Sequence, residues 1–567
     1  MKPQIFRYSL KLSFALLAIT VQLAAQQWGE YTLIPINGST TVRLRDTASA
    51  QYHIWSGLPG TTAYSCYMLP GGVLLRTVDV TNNVFTGGGM AGRVQKVDYN
   101  GTLLWDYTYS TSSYCSHHDI CALPNGNVLL IAYESKSSSQ ATAAGSNYAG
   151  TLWPDHIVEV QPTGTSTGTI VWEWHLWDHL CQSVNSSAAN YVTNTADHPE
   201  LYNINAVTIT SQTKDFWHMN GIDYNPMTDQ IVVSAHNTNE FYVIDHSTTT
   251  AEAAGHTGGR GGRGGDFLYR WGNPARYGQS GSANFNVLHD AHWIPQDCPN
   301  AGYLVALNNK GISNTQSCVD MVNPTVSGFN FSYTPNTAWL PSTYTIRQNC
   351  TGGTSNMGNS QQLPNGNMLI CLAMSGTIYE INSAGTSLWS YTATGAVSQA
   401  FRYSACQITS AAPAIPTITS NGNVLSASSA TTYQWYVDGV LIPGATSQTY
   451  TATQSGAYVV RVTDSNGCWF SYSSMFDHSV ITDISSFDNS FRFTVYPNPS
   501  NGIINLSSEI LPGTNFSVQV LDSRGRLVAN EKNQMVLDLI HLENGVYFMN
   551  VYPEIGGVFT ERIVISK

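Results

Sequence analysis

From about Gln26 to Cys406 apolar and polar positions alternate in runs of strand length, and one pattern recurs: a proline or Asn-Gly turn, an apolar strand, a polar connection, a second strand and an aromatic ending. LPGGVLL begins at Leu69, LPNGNVLLI at Leu123 and LPNGNMLI at Leu363, while the endings GTLLWDY, GTIVWEW and GTSLWSY begin at Gly101, Gly168 and Gly385. Proline and Asn-Gly supply turn geometry, and the alternation after each turn gives a strand with one face to bury. A small antiparallel sheet cannot bury that face alone. Packing such sheets side by side around an axis does so. The pattern predicts an all-β chain whose residues 26–408 form a β-propeller, with six blades at ~40 to 60 residues per four-stranded blade. A stack of β-sandwiches would not repeat the LPNGN turn so regularly.

After Cys406 the pattern changes. SAAPAIPTI, from Ser410, is a Pro/Ala linker, and residues 409–480, with short alternating strands around Trp435, predict an immunoglobulin-like sandwich. A spacer around Asp477 to Asn489 leads into a third β unit at 490–567, with a hairpin turn at DSRGRL from Asp522. At the other end, residues 1–25 place Lys2, Arg7 and Lys11 ahead of an apolar run from Leu12 to Leu23 and the pair Ala24 and Ala25. That run is shorter than the ~20 residues that span a bilayer, and it reads as a signal peptide.

Export changes the meaning of the ten cysteines, which show no repeated CxxC spacing. In an oxidising compartment disulfides are the plainer reading than a zinc site, and Cys115 with Cys121 and Cys298 with Cys318 would each close a short loop. With 24 basic and 36 acidic side chains the net charge is -12, which excludes the electrostatic footprint of a nucleic-acid binder. No phosphate loop of the Gly-Lys-Ser type is present, so no nucleotide donor or other cofactor is expected, although a structural calcium ion would leave no mark of this kind.

Fifteen histidines stand out in a chain so poor in Lys and Arg. His117, His118 and Asp119 lie in HHDICALPNGN, His218, Asn220 and Asp223 in WHMNGIDYNP, His236 and Asn237 in SAHNTNEFYVIDH, and His289, Asp290 and His292 in LHDAHWIP. All four groups fall at strand ends beside turns, which in a propeller places them around the central channel. Imidazoles gathered there can act as nucleophile, acid, base or metal ligand. His175 and His179, among tryptophans in WEWHLWDHL, read as wall residues, and GHTGGRGGRGGD, from Gly255, as an anion cradle or a blade connection that brings Arg260 and Arg263 to the mouth. The residues alone also admit a metal-dependent hydrolase using HHD and HDAH, or a non-catalytic propeller binding glycans or protein. The Gly-x-Leu-x-Trp endings give a weaker hint of a quinone-dependent dehydrogenase.

Two resemblances narrow these alternatives. YPNPSNG (Tyr496 to Gly502), the turn with Asp522, Arg524 and Gly525, LENGVYF (Leu542 to Phe548) and the terminal VISK resemble the C-terminal sorting domain of type IX secretion cargo. This implies passage across the outer membrane of a Gram-negative bacterium to the cell surface or medium, with that secretion machinery as a partner. The span from Thr61 to Tyr403 resembles the bacterial arylsulfate sulfotransferases. The resemblance rests on HHDICALPNGN, HMNGIDYNP, GDFLYRWGNP, LHDAHWIP followed by YLVALNNKG, and LPNGNMLICLAMSGTIYEIN, in that order. It implies a six-bladed propeller that moves a sulfuryl group from a phenolic sulfate ester to a phenol through a sulfated histidine, by a ping-pong mechanism. It also implies His289 as nucleophile with His292 as a rival, His218 and His118 as catalytic acid or sulfate-binding groups, and Asn220 as a hydrogen-bond donor; beside them Asn220, His236, His292 and His117 are expected to bind substrate, with no metal. The chain departs from the family at His236, in Ser234-Ala235-His236, where an arginine is common.

Overall fold

The computed structural model describes residues 27–82, 84–480, 493–508, 515–553 and 559–567; the expected signal peptide lies outside them. Between Tyr31 and Tyr403 the described residues form six four-stranded antiparallel sheets. Sheets two to six take their strands in chain order, consecutively except in sheet five, where the hairpin Val326–Ser327 and Asn330–Phe331 precedes the last strand, Ile346–Asn349; their first strands are Thr62–Leu69, Tyr114–Ala122, Met219–Asn225, Leu288–Trp293 and Asn359–Gln362. Sheet one is assembled from both ends: Phe401–Tyr403 pairs with Tyr31–Pro35, followed by Val42–Asp46 and Gln51–Trp55. The sheets pack face to face in a closed cycle. Separate apolar clusters join Leu44 to Leu74, Leu75 to Leu130, Ile157 to Val233, Val243 to Leu304, Leu307 to Ile370 and, closing the ring, Leu369 to Ile34. This is the architecture of a β-propeller.

The recurring sequence elements explain themselves in this frame. In each LPNGN turn the Leu N–H donates to the Asn carbonyl, at 2.9 Å for Leu123 and Asn127 and 2.8 Å for Leu363 and Asn367. Gly126 and Gly366 take φ of 89° and 86°, which a side chain would oppose. The last Asn is buried and reaches a glutamate on the third strand of its own sheet, Asn127 to Glu159 and Asn367 to Glu380. The aromatic endings place Trp105, Trp172 and Trp389 in three of the clusters between consecutive sheets.

Successive first strands are stitched by side chains that accept from the next sheet's backbone. Asp119 accepts from Ile222 N, Asp223 from Trp293 N and Asp290 from Ser360 N, at 3.2, 2.9 and 3.2 Å. Four of these strands, in sheets two to five, also carry a β-bulge, between Thr62 and Cys66, Ser116 and Ile120, Met219 and Gly221, and His289 and His292. A bulge re-aims the side chains beside it.

Residues 418–478 form two further sheets around the fully buried Trp435, and Cys406 is disulfide-bonded to Cys468. The short-loop pairings are not formed. Cys115 and Cys121 sit at opposite ends of one strand, Cys298 donates to Gln362 O and Cys318 packs on Asp320, so the sheet geometry keeps these thiols apart. The segment beyond Val480 is a separate unit. There a three-stranded and a four-stranded sheet share one core containing Ile504, Val518, Leu537 and Met549, and Asp522 Oδ1 accepts from Arg524 N and Arg526 N to form the DSRGR turn.

In sheet four, Arg270 and Glu240 form a fully buried two-pronged ion pair, with N–O distances of 3.0 and 2.6 Å. Tyr242 donates to the same carboxylate at 2.8 Å, and Arg270 lies 4.4 Å over the Tyr277 ring. Removing one partner strands the other charge in a dry interior. Arg270→Ala is expected to cost about 3–5 kcal/mol, read as a lowered urea midpoint in equilibrium unfolding of the chain.

Candidate active site

The first strands of sheets three and five, with the residues that precede the first strand and follow the second strand of sheet four, bring histidines from distant parts of the sequence into one row. Ring centroids run from His117 to His118 at 5.2 Å, His118 to His218 at 4.8 Å, His218 to His236 at 5.3 Å and His236 to His289 at 5.6 Å. The bulges make this possible. His118 and His218 take φ of 48° and 61°, and Val287 and Asp290, which flank His289, take 61° and 58°. Such left-handed non-glycine residues are strained and collect at functional sites. His118 and His289 are almost sealed, whereas His218 and His236 are partly exposed.

Each ring is fixed by a partner. His218 Nδ1 lies 2.7 Å from Asp215 Oδ2, with the Tyr133 hydroxyl 3.3 Å away. His117 stacks on Tyr133, places Nδ1 2.9 Å from His118 Nδ1 and Nε2 2.9 Å from Asp155 Oδ1. Asp155 also accepts from the backbone N–H of His218 and Met219. His289 Nδ1 lies 2.8 Å from Asn309 Oδ1, and the Asn309 amide N–H groups donate to the carbonyls of Thr354 and Met357. That orients Asn309 with its oxygen toward the ring, so Nδ1 carries the proton and Nε2 the lone pair. The Met357 N–H donates to that lone pair at 3.2 Å.

Burial dominates the electrostatics. It depresses His289 to about 3, reinforced by His236 and opposed by Asn309, and it holds His117 and His118 well below the usual imidazole range, with His218 next in effect. His236 is lowered by burial and then by His218, with the Lys310 ammonium adding to it. Burial pushes the Asp155 carboxyl up to about 8 against the nearby His218. His292 behaves oppositely. Burial alone would lower it, but the Asp290 carboxylate 3.3 Å from Nδ1, and then Asp223, raise it to about 9.

His118, His218, His236 and His289 therefore meet, with His117 behind His118. His292 is in ring contact with none of them among the described residues and belongs to the Asp290 pair. Asn220 is buried and committed to the scaffold: Nδ2 donates to Leu288 O and Oδ1 accepts from Ser234, at 2.7 and 2.6 Å. The glycine-rich segment is not an open anion cradle. The Gly261 N–H donates to Asp245 at 2.7 Å, those of Gly262, Gly264 and Gly265 donate to carbonyls of the same segment, and Arg260 grips Asp477. Asp155, Asp215, Asn309 and Met357 were not singled out from sequence. Neither was Gly89, whose φ of 64° and missing side chain leave room for the His118 ring. The run of three glycines at 87–89 was the one signal available.

The arylsulfotransferase (ASST) profile matches residues 76–394, which contain every histidine of the row. The chain belongs to the arylsulfotransferase family. That family membership supports a sulfotransferase enzyme. A second profile, the secretion system C-terminal sorting domain, matches residues 494–566, and this type IX sorting domain supports export to the cell surface or medium. Comparison with curated proteins gave no match. Among solved structures, a Bacteroides caccae protein of unknown function is 12% identical, with 66% of this chain and 98% of that one covered and a TM-score of 0.37. The Pseudomonas aeruginosa periplasmic gluconolactonase PpgL is 11% identical over 66% and 98%, with a TM-score of 0.36.

The His292 environment yields a pH prediction. Its folded value of about 9 exceeds the ordinary 6.5, so its contribution to stability is complete below pH 6.5 and is lost as pH rises through about 9. The gap in urea midpoint between wild type and His292→Gln should shrink from pH 6 to pH 10; a gap that stays constant would refute the assigned shift.

Proposed function

We propose that the chain moves a sulfuryl group from an aryl sulfate to a phenol through a covalent intermediate on His289. The observation that carries this reading is the single lone pair at His289 Nε2, set by Asn309 and placed at the end of a row of imidazoles. Burial keeps the ring neutral at any pH well above about 3, so the nucleophile is ready without deprotonation. Nε2 attacks sulfur as the bond from sulfur to the aryl oxygen breaks. The leaving phenolate takes the Nε2 proton of the His218 imidazolium, which Asp215 pairs through Nδ1, and the ring is left neutral. The Met357 N–H, released from Nε2 when the nitrogen–sulfur bond forms, and the His118 ring would hold sulfuryl oxygens. A second phenol then gives its proton to His218 and attacks sulfur, and the nitrogen–sulfur electron pair returns to His289.

Asp155, raised to about 8 by burial, stands 2.9 Å from His117 Nε2 without a hydrogen bond to it, and His117 and His118 share one proton between their Nδ1 atoms at 2.9 Å. With that proton on His117, His118 presents Nε2–H to a sulfate oxygen. Export through an N-terminal signal peptide completes the reading, and no nucleotide donor or cofactor takes part.

Metal-dependent hydrolysis at the same histidines is disfavoured by their arrangement: among the described residues, the grouping of three close donor atoms that could hold an ion lies elsewhere and includes none of them.

Incubation with a chromogenic aryl sulfate should give an adduct of about 80 Da on His289, discharged by added phenol and absent in His289→Ala. An adduct on another residue, or turnover by His289→Ala, would overturn the assignment. Asn309→Leu should retain the fold and lower kcat about 10²- to 10⁴-fold by releasing the tautomer. Asp155→Asn mimics the protonated carboxyl, so the inflection of kcat near pH 8 in the wild type should vanish.

A further inference from the structure

A second cluster of imidazole and carboxylate lies away from the histidine row. His179, from the 3-10 turn Leu176–His179 after sheet three, meets His256 and Asp266 from the two ends of the glycine-rich segment, with their donor atoms within 4.8 Å of one another. His179 and Asp266 are buried, and His256 is exposed. Both rings aim Nδ1 at one oxygen, Asp266 Oδ1, at 2.8 Å from His179 and 2.7 Å from His256.

The protonation of His179 is fixed by its other nitrogen. Nε2 lies 2.8 Å from the Ala253 carbonyl, which only accepts, so Nε2 bears the hydrogen. Nδ1, aimed at the same carboxylate oxygen that His256 approaches, therefore needs a positive charge at this point, supplied either by a proton on the ring or by a metal ion. The ring has no freedom to avoid this. It stacks on Trp174 with centroids 5.3 Å apart and planes 3° from parallel, and Gly265 lies so close that a Cβ there would stand 2.6 Å from Nε2. A histidine that donates one nitrogen to a backbone carbonyl while the other faces a convergent site is the arrangement that supports metal ligation.

We propose that His179, His256 and Asp266 bind one zinc ion that clips the glycine-rich segment to sheet three. Two imidazoles and a carboxylate form a borderline donor set that suits zinc and not calcium or magnesium. Bonds of about 2.0–2.1 Å set tetrahedral ligand atoms about 3.3 Å apart, so Asp266 and His256 need only draw back by a fraction of an ångström. Exposed His256 leaves the fourth position to water. The segment needs such a clip because seven of its residues from Gly255 to Asp266 are glycine and bring no side chain to a core. The ion is structural; the transfer reaction does not depend on it.

The test uses the full chain stripped by chelator. Titration with zinc chloride, followed by calorimetry and thermal unfolding, should show one tight equivalent and a raised Tm. His256→Gln, an exposed change that leaves folding intact, and Asp266→Asn should each weaken binding at least about tenfold. His198→Gln, a change at a histidine outside the cluster, should bind like wild type. Cobalt(II) should give visible d–d absorption without thiolate charge transfer, which separates this site from the buried free cysteines. No tight equivalent in the wild type, unchanged affinity in His256→Gln, or a thiolate band would each overturn the proposal.

Discussion

Ring closure is the constraint on which the rest depends. The strand Phe401–Tyr403 completes the sheet begun by Tyr31–Pro35, and Ile34 packs into the cluster of the last sheet. Without that union each sheet would leave an apolar face uncovered. With it, the first strands of consecutive sheets are held side by side, and the carboxylates of Asp119, Asp223 and Asp290 fix their relative heights by capping backbone N–H groups across each gap. Residues as far apart as His118 and His289 become neighbours through the cycle of packed sheets, not through any local motif.

The site built on this frame relies on dryness more than on fixed charge. Where family members commonly carry an arginine, His236 stands, and Lys310 is the cation near it. Burial disfavours charge on His117, His118 and His289, so in the proposed reaction the positive potential would come from oriented N–H groups and from whichever ring holds a transferable proton. The cost is paid in backbone strain at His118, His218 and Asp290, which the stitched scaffold holds in place.

Much of this was legible in sequence because it depends on local chemistry. The LPNGN turns, the tryptophan endings and the four histidine groups each have a residue-level reason, and the structure puts them in sheets, between sheets and in one row. What was not legible depends on register. Asp155 and Asp215 reach the row from a third strand and a loop, and Asn309 reaches it from a second strand, in ordinary stretches of sequence. The bulge after His289 sends His292 to Asp290, a separation invisible in LHDAHWIP. Asn220 is adjacent to the row but engaged with Leu288 and Ser234. The cysteine pairing failed for a similar reason, since proximity along the chain says nothing when a strand holds two thiols at its opposite ends.

The bond between Cys406 and Cys468 lies three residues beyond the closing strand and brackets nearly all of the following module. A pull applied from the C-terminal side, once past the strands Phe470–Tyr472 and Phe476–His478, therefore runs through the sulfur bridge to Phe401–Tyr403 and leaves residues 407–467 unloaded. Tension from that side would then be borne by the strand that closes the propeller, and a single proteolytic nick between the bridged cysteines would leave the two sides of the cut covalently joined.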